Sequence, residues 1–282
     1  MTAGGGDDGL AGRVAVITGS TSGLGRATAE LFARRGAHVV GAARRARLGN
    51  EIAETLRAEG ASASFVEADV RRVADCRRLV ETALERHGCV DILVNNAGFE
   101  GDPPVCDSHL ATEEHWDDVM DTNLKGAFFC ASFCLKSMQP TGRGVILNVS
   151  SINALSGPAK MAAYSASKAG LVQLSRTLAV EYALDGIRVN AVVVGGVDTP
   201  QAERTRRAIA EHMRGGEAPA GPRRRNRLVY EPVEVARVLA LLCRDDADIT
   251  GATIAVDRGM SAGTMVSTMI YMTSSGLWEK PY

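Results

Sequence analysis

Apolar residues fall along this chain in two alternating rhythms. Short β-rich runs at 13–18, 38–42, 63–68, 91–95, 144–149, 187–193 and 253–256 predict strands. Between them, apolar positions at helical spacing predict helices over 24–35, about 47–59, 73–87, 113–136, 160–184 and 233–243, with a shorter one near 201–213. In the 73–87 stretch, Val73, Cys76, Leu79, Val80, Ala83 and Leu84 share one face, and Gly88 ends it. Strand and helix alternating from end to end predict an α/β fold: a doubly wound parallel sheet of about seven strands with helices on both faces.

No interdomain linker or internal repeat interrupts this alternation, so residues 11–263 read as a single domain. Residues 1–10 carry Gly and Asp but no basic or apolar stretch, and read as a disordered leader rather than a secretory signal. Two longer irregular segments, 99–112 and 194–231, follow strands and so should lie over the crevice at the carboxyl ends of the sheet. With 282 residues, 45% of them hydrophobic, the chain can bury one sizeable core. Its formal net charge of −1 points to neither nucleic acid nor an anionic membrane surface. No apolar run approaches the roughly 18 residues needed to span a bilayer. Six scattered cysteines without a CxxC pair fit a reducing, cytoplasmic compartment, and no His/Cys/Asp cluster has metal-ligand spacing.

Candidate chemistry sits at the strand ends. Thr18-Gly-Ser-Thr-Ser-Gly-Leu-Gly25 follows the first strand and opens the first helix. Gly19, Gly23 and Gly25 permit a tight turn and close packing. The helix N-terminus, with Thr21, Ser22 and Leu24, offers free N–H groups to a pyrophosphate. The second strand ends without an acidic residue and runs into Arg44 and Arg45. Guanidinium suits a 2′-phosphate, which favours NADP(H) over NAD(H); a solvated loop is the plain alternative. Asp69 and Val70 are candidates for an adenine contact. Asn96, Ala97 and Gly98 leave room for a flat ring, or else form an Asx-stabilised turn. Ser151 closes the fifth strand, placed to hold a carbonyl oxygen. Tyr164 and Lys168 lie one helical turn apart, where an ammonium is expected to pull the phenol from about 10 toward neutrality. That would make a usable acid and base, although such a pair taken alone is most often a surface pair.

In order and spacing, these pieces are joined by Asn123 in Asn-Leu-Lys-Gly126, Arg188-Val-Asn-Ala191, Ile249-Thr-Gly251 and Val256-Asp-Arg-Gly259. With them the chain resembles the short-chain dehydrogenase/reductase superfamily over about 10–263, in its Rossmann-type single-domain form. The resemblance implies that Tyr164 is the catalytic acid and base. It implies that Lys168 lowers the phenol pKa and binds the nicotinamide ribose, and that Ser151 holds the substrate oxygen. Asn123 would hold a water linking Lys168 to solvent. Thr199 would bind the nicotinamide carboxamide, with Gly195 and Val197 in the same loop, and Asn96 to Gly98 would line the cofactor. It further implies a homotetramer or homodimer built in part on the helices of Asn123 and Tyr164. Two departures stand out: Val194 precedes Gly195 where the family commonly has Pro, and Arg258 stands where a second Gly is frequent.

The expected function is therefore NADP(H)-dependent hydride transfer between a small-molecule ketone and its secondary alcohol, with a 3-oxoacyl or polyketide-type ketone favoured. Alternatives are an NAD(H)-dependent alcohol dehydrogenase, a cofactor-assisted epimerase or dehydratase, and a cofactor-sensing protein without chemistry. The intact set of Asn123, Ser151, Tyr164 and Lys168 argues against the last. Substrate choice is expected from 152–158, 99–110 and 194–231. The basic cluster at 223–227 reads as a solvated or intersubunit loop, or as a dock for an acidic substrate group or acyl-carrier partner. The tail at 264–282, rich in Met and aromatic residues, reads as an interface segment or active-site lid, or as an extra edge on its own domain.

Overall fold

A computed structural model describes residues 10–214 and 228–263, with the side chains of 212–214 outside that description. The leader up to residue 9, the basic cluster at 223–227 and the tail at 264–282 lie outside the described residues. The strands are β1 (Val14–Thr18), β2 (His38–Ala43), β3 (Ala63–Glu67), β4 (Ile92–Asn95), β5 (Gly144–Ser151), β6 (Ile187–Val194) and β7 (Thr253–Val256). They pair in parallel, in the order β3-β2-β1-β4-β5-β6-β7. The direction of winding reverses between β1 and β4, and at such a switch point the loops part and leave a crevice at the carboxyl edge.

The α-helices are α1 (Gly23–Arg34), α2 (Ala46–Ala58), α3 (Val73–His87), α4 (Glu113–Met120), α5 (Gly126–Met138), α6 (Ala162–Tyr182), α7 (Pro200–Arg214) and α8 (Pro232–Cys243). Apolar residues of α1, α2 and α8 pack with Ala15, Ile17, Ile92 and Val94 on one face of the sheet. Those of α3, α5 and α6 pack with Val16 and Leu93 on the other. Strand side chains alternate between faces, and here both faces are covered, so β1 is buried along its whole length and reads as an unbroken apolar run. Each fully buried Phe32, Ile17, Leu79 or Leu93 stabilises this arrangement by about 1.5–3 kcal/mol.

Two features differ from the sequence reading, and a third bears out a departure that it noted. Leu10, grouped with the leader, is fully buried in the core and belongs to the domain. The single helix expected over 113–136 is two helices joined by a π turn at Asp121–Lys125. That turn brings Asn123 against the Phe99 backbone. It also begins α5 at Gly126, where an added Cβ would come within 2.7 Å of the Val70 carbonyl. Finally, Arg258 has φ +53°, in the region that favours glycine. Its guanidinium lies 4.2 Å from the Tyr230 ring centroid, and its Nη2 donates to Glu234 at 2.9 Å, contacts that offset the strain.

Candidate active site

A cleft of about 610 Å³ opens at the carboxyl edge. At one end the β1–α1 turn contributes Gly19, Thr21, Ser22, Gly23 and Leu24. Gly19 has φ +70°, and a Cβ there would lie 2.9 Å from Asn96 Nδ2 and 3.0 Å from Ala97 Cα, so the turn and the end of β4 meet backbone to backbone. Thr18 and Asn96 secure this meeting: Asn96 Nδ2 donates to the Thr18 carbonyl at 2.9 Å, and Thr18 Oγ1 accepts from the Asn96 and Ala97 amides. Gly25 does not line the cleft; a Cβ there would lie 2.3 Å from the Gly19 carbonyl, so its role is packing beneath the turn. Ser22, at the N-cap of α1, makes no side-chain capping bond, which leaves the first-turn N–H groups to a ligand.

Arg44 and Arg45 border the same end. Arg45 Nη2 donates to Thr21 Oγ1 at 2.9 Å and to Ser22 Oγ at 2.8 Å, which draws a cation and two hydroxyls onto one spot. Asp69 and Val70 lie alongside. Burial opposes ionisation of Asp69, but its hydrogen bonds to Arg71 and the charges of Arg71 and Arg44 prevail and hold its carboxyl below the usual range. Arg71 also pairs with Asp118 of α4, tying this corner to the π turn.

The other end gathers Ser151, Tyr164 and Lys168. Ser151 closes β5, its Oγ accepts from the Asn153 amide at 3.2 Å, and it lines the cleft together with Tyr164. Tyr164 and Lys168 project from α6 and are 8% and 4% exposed. Lys168 Nζ donates to the Val149 carbonyl at 2.9 Å and lies 5.8 Å from the Tyr164 ring centroid. Asn123 donates to the Phe99 carbonyl at 2.8 Å and to Ser167 Oγ at 2.9 Å, and accepts from the Phe99 amide at 2.7 Å. Both its N–H donors are thereby engaged, and one Oδ1 lone pair remains. A Cβ on Gly98 would lie 3.5 Å from Lys168 Nζ and 3.8 Å from Asn123 Oδ1, so both groups border the same point of backbone. Gly195, Val197 and Thr199, after β6, complete the lining, with Thr199 Cγ2 packed where a Cβ on Gly23 would fall.

The electrostatics correct one expectation. Burial pushes the Tyr164 phenol up, and the charge of Glu100 adds to this, with the Ser151 hydroxyl opposing. The phenol is therefore not drawn toward neutrality by Lys168. Lys168 itself is brought down to about 8 by burial, with Glu100 opposing. Spacing along a helix shows that the two groups are neighbours; it does not show that both are buried, and burial decides the direction.

Glu100 is the principal residue that the sequence reading missed. It lines the cleft beside Gln201 and accepts a hydrogen bond from Thr205 Oγ1. Arg204 donates to the Gly101 carbonyl at 3.2 Å and lies 5.5 Å from the Phe99 ring centroid. Glu100 sits in the segment expected to select substrate, but only its contact with α7 marks it out.

The chain matches the family model described as short chain dehydrogenase over residues 13–210. It is 39% identical over 254 residues to a cis-4-hydroxycyclohexanecarboxylate dehydrogenase of Sinomonas cyclohexanicum, covering 90% of this chain and 98% of that one. To an A-factor type gamma-butyrolactone 1'-reductase (1S-forming) of Streptomyces virginiae it is 38% identical over 257 residues, 89% of this chain and 96% of the relative. Among solved structures, a variant of the actinorhodin polyketide ketoreductase with NADPH superposes with a TM-score of 0.77 at 33% identity, covering 89% of this chain and 98% of the other. A cofactor turn at one end of the cleft, a Ser-Tyr-Lys group at the other, and relatives that match along nearly their whole length lead to one assignment: this chain is an oxidoreductase of the short-chain dehydrogenase/reductase family.

Proposed function

We propose that the protein is an NADP(H)-dependent reductase of a ketone, of 3-oxoacyl or polyketide type, with oxidation of the secondary alcohol as its reverse. The carrying observation is that Ser151, Tyr164 and Lys168 face one cleft, with Lys168 Nζ 5.8 Å from the Tyr164 ring centroid, and that the same cleft holds the Gly-rich turn. The glycine turn, which admits no Cβ at Gly19, and the Arg45–Thr21–Ser22 cluster fit a phosphorylated dinucleotide. Gly19 to Leu24 would hold its pyrophosphate, Arg44 and Arg45 its 2′-phosphate, and Asp69 and Val70 its adenine. Asn96 to Gly98, Tyr164, Lys168, Gly195, Val197 and Thr199 would border the nicotinamide half. When bound, that group supplies the hydride for the carbonyl carbon.

Ser151 and Tyr164 donate hydrogen bonds to the carbonyl oxygen, where negative charge develops, and Tyr164 delivers the proton. A phenol held protonated by burial is in the state that this step requires. Lys168 places a positive charge beside the phenolate that remains. Asn123, through its remaining lone pair, is the position for a water that returns the proton from solvent by way of Lys168. The preference for NADP(H) and for a ketone draws support from the relatives: one is a ketoreductase solved with NADPH, another a 1'-reductase. A homodimer or homotetramer belongs to the same reading, with Phe128, Val180 and Leu184 exposed on and after α5 and α6.

The test is a Tyr164→Phe variant assayed with NADPH and a panel of 3-oxoacyl thioesters and polyketide-like aromatic ketones. Turnover should fall at least 100-fold while NADPH affinity stays within about threefold. Full turnover by the variant would remove Tyr164 from the reaction.

A further inference from the structure

We infer that Glu100 is a specificity-determining residue that selects carbonyl substrates bearing a hydroxyl near the reacting carbon, and that its carboxyl forms the second anchor of the substrate site. This rests on the reductase reading of the Ser151–Tyr164–Lys168 group and names the substrate class for that same site.

Glu100 follows Gly98 by two residues, in the loop fixed to Asn123 through both backbone groups of Phe99. It therefore cannot shift without disturbing the π turn. Its carboxyl lines the cleft with Tyr164 and Lys168, close enough that its charge acts on both. Thr205 of α7 holds it. Two carboxylate oxygens offer about four lone-pair positions, and the Thr205 bond occupies one of them. Half-buried and held by Thr205, Glu100 also lines the cleft, where a carboxylate has acceptor capacity to spare.

If Glu100 served only to fasten α7 to this loop, a neutral group would do so without the cost of burying a charge. Burial raises its pKa, with Thr205, Gln201, Arg204 and Lys168 opposing. A carboxylate accepts from a hydroxyl without needing a proton of its own, which matches a hydroxyl donor on the substrate. A substrate carboxylate would meet repulsion here. Arg204, the neighbouring cation, also lines the cleft, and its guanidinium is engaged by the Gly101 carbonyl and the Phe99 ring.

The experiment compares matched ring probes on the full chain with NADPH: cyclohexanone, 2-hydroxycyclohexanone and 3-oxocyclohexanecarboxylate. Wild type should favour the hydroxyketone over cyclohexanone about ten- to a hundredfold in kcat/KM, the range for a charge-assisted hydrogen bond. Glu100→Gln should cut that ratio at least fivefold, and Glu100→Leu should abolish it. In parallel, calorimetry on the NADP⁺-loaded chain should show cyclohexane-1,2-diol binding at least tenfold tighter than cyclohexanol, with the advantage lost in the same variants.

Equal affinity of diol and cyclohexanol in wild type overturns the inference and leaves the hydride-transfer reading standing. Diol preference without turnover of any ketone supports the inference and strikes the hydride-transfer reading instead. Preference for the carboxylate probe, lost in Arg204→Gln, overturns it in favour of an anion site.

Discussion

Replacing Lys168 with Met should stabilise the fold while removing activity. Lys168 is 4% exposed, and burial lowers its pKa from 10.5 to about 8. That gap, at about 1.4 kcal/mol for each pH unit, corresponds to about 3 kcal/mol of unfavourable charge burial at neutral pH. Removing the ammonium also removes its hydrogen bond to the Val149 carbonyl, a loss of about 1 kcal/mol. The net gain at pH 7 is then about 2 kcal/mol, or a rise in Tm of roughly 4–8 °C for a domain of this size. The sign changes with pH in a defined way. The unfolded chain keeps this proton up to about pH 10.5 and the folded chain only to about 8, so wild-type stability attributable to Lys168 rises across that window. The advantage of the Met variant should therefore shrink as pH goes from 8 to 10. Urea unfolding of both proteins at equal concentration, at pH 7 and pH 10 and without nucleotide, gives the comparison, with NADPH-linked turnover measured alongside. A variant less stable than wild type at pH 7, or an advantage undiminished at pH 10, would show that Lys168 is not a strained buried charge.

The same lysine should shape the pH profile: kcat/KM for reduction stays level below pH 7.5 and falls about tenfold per pH unit above about 8, as Lys168 loses its proton while Tyr164 keeps its own. A level profile to pH 10 would remove Lys168 from the rate. Arg45→Ala should weaken NADPH binding about tenfold or more, the worth of a charge-assisted hydrogen bond, and NADH binding less than threefold. Fluorescence titration with both nucleotides checks this, and equal losses would show that Arg45 does not read a 2′-phosphate. Asn123→Ala leaves the Phe99 amide and carbonyl without their partner and should cost about 2–4 kcal/mol, seen as a Tm roughly 5–15 °C lower. An unchanged Tm would mean that the loop after β4 does not depend on it.

What the sequence shows and what it hides follow from the reach of each contact. A strand covered on both faces must be apolar at successive positions, so β1 and β5 announce themselves. The cofactor end is equally legible, because a turn that admits no Cβ at Gly19 and a helix opening at Gly23 lie within one strand–turn–helix unit. Tyr164 and Lys168 are legible as a pair for the same reason, since one helical turn fixes their neighbourhood. Their titration is not, because the burial that pushes the phenol up comes from α4 and the loops around Phe99 and Met161. The π turn hides likewise: Asp121, Thr122 and Lys125 look like any polar helix surface. The extra residue there answers to Phe99, 24 positions away, and to Val70. Glu100 is the extreme case. In Phe-Glu-Gly-Asp-Pro it reads as a polar loop residue, and what turns it toward the cleft is Thr205, 105 positions on. Residues that meet a constant cofactor can be held by short motifs. Groups outside such motifs are held by contacts between distant segments, as Glu100 is by Thr205 of α7, and no local spacing announces them.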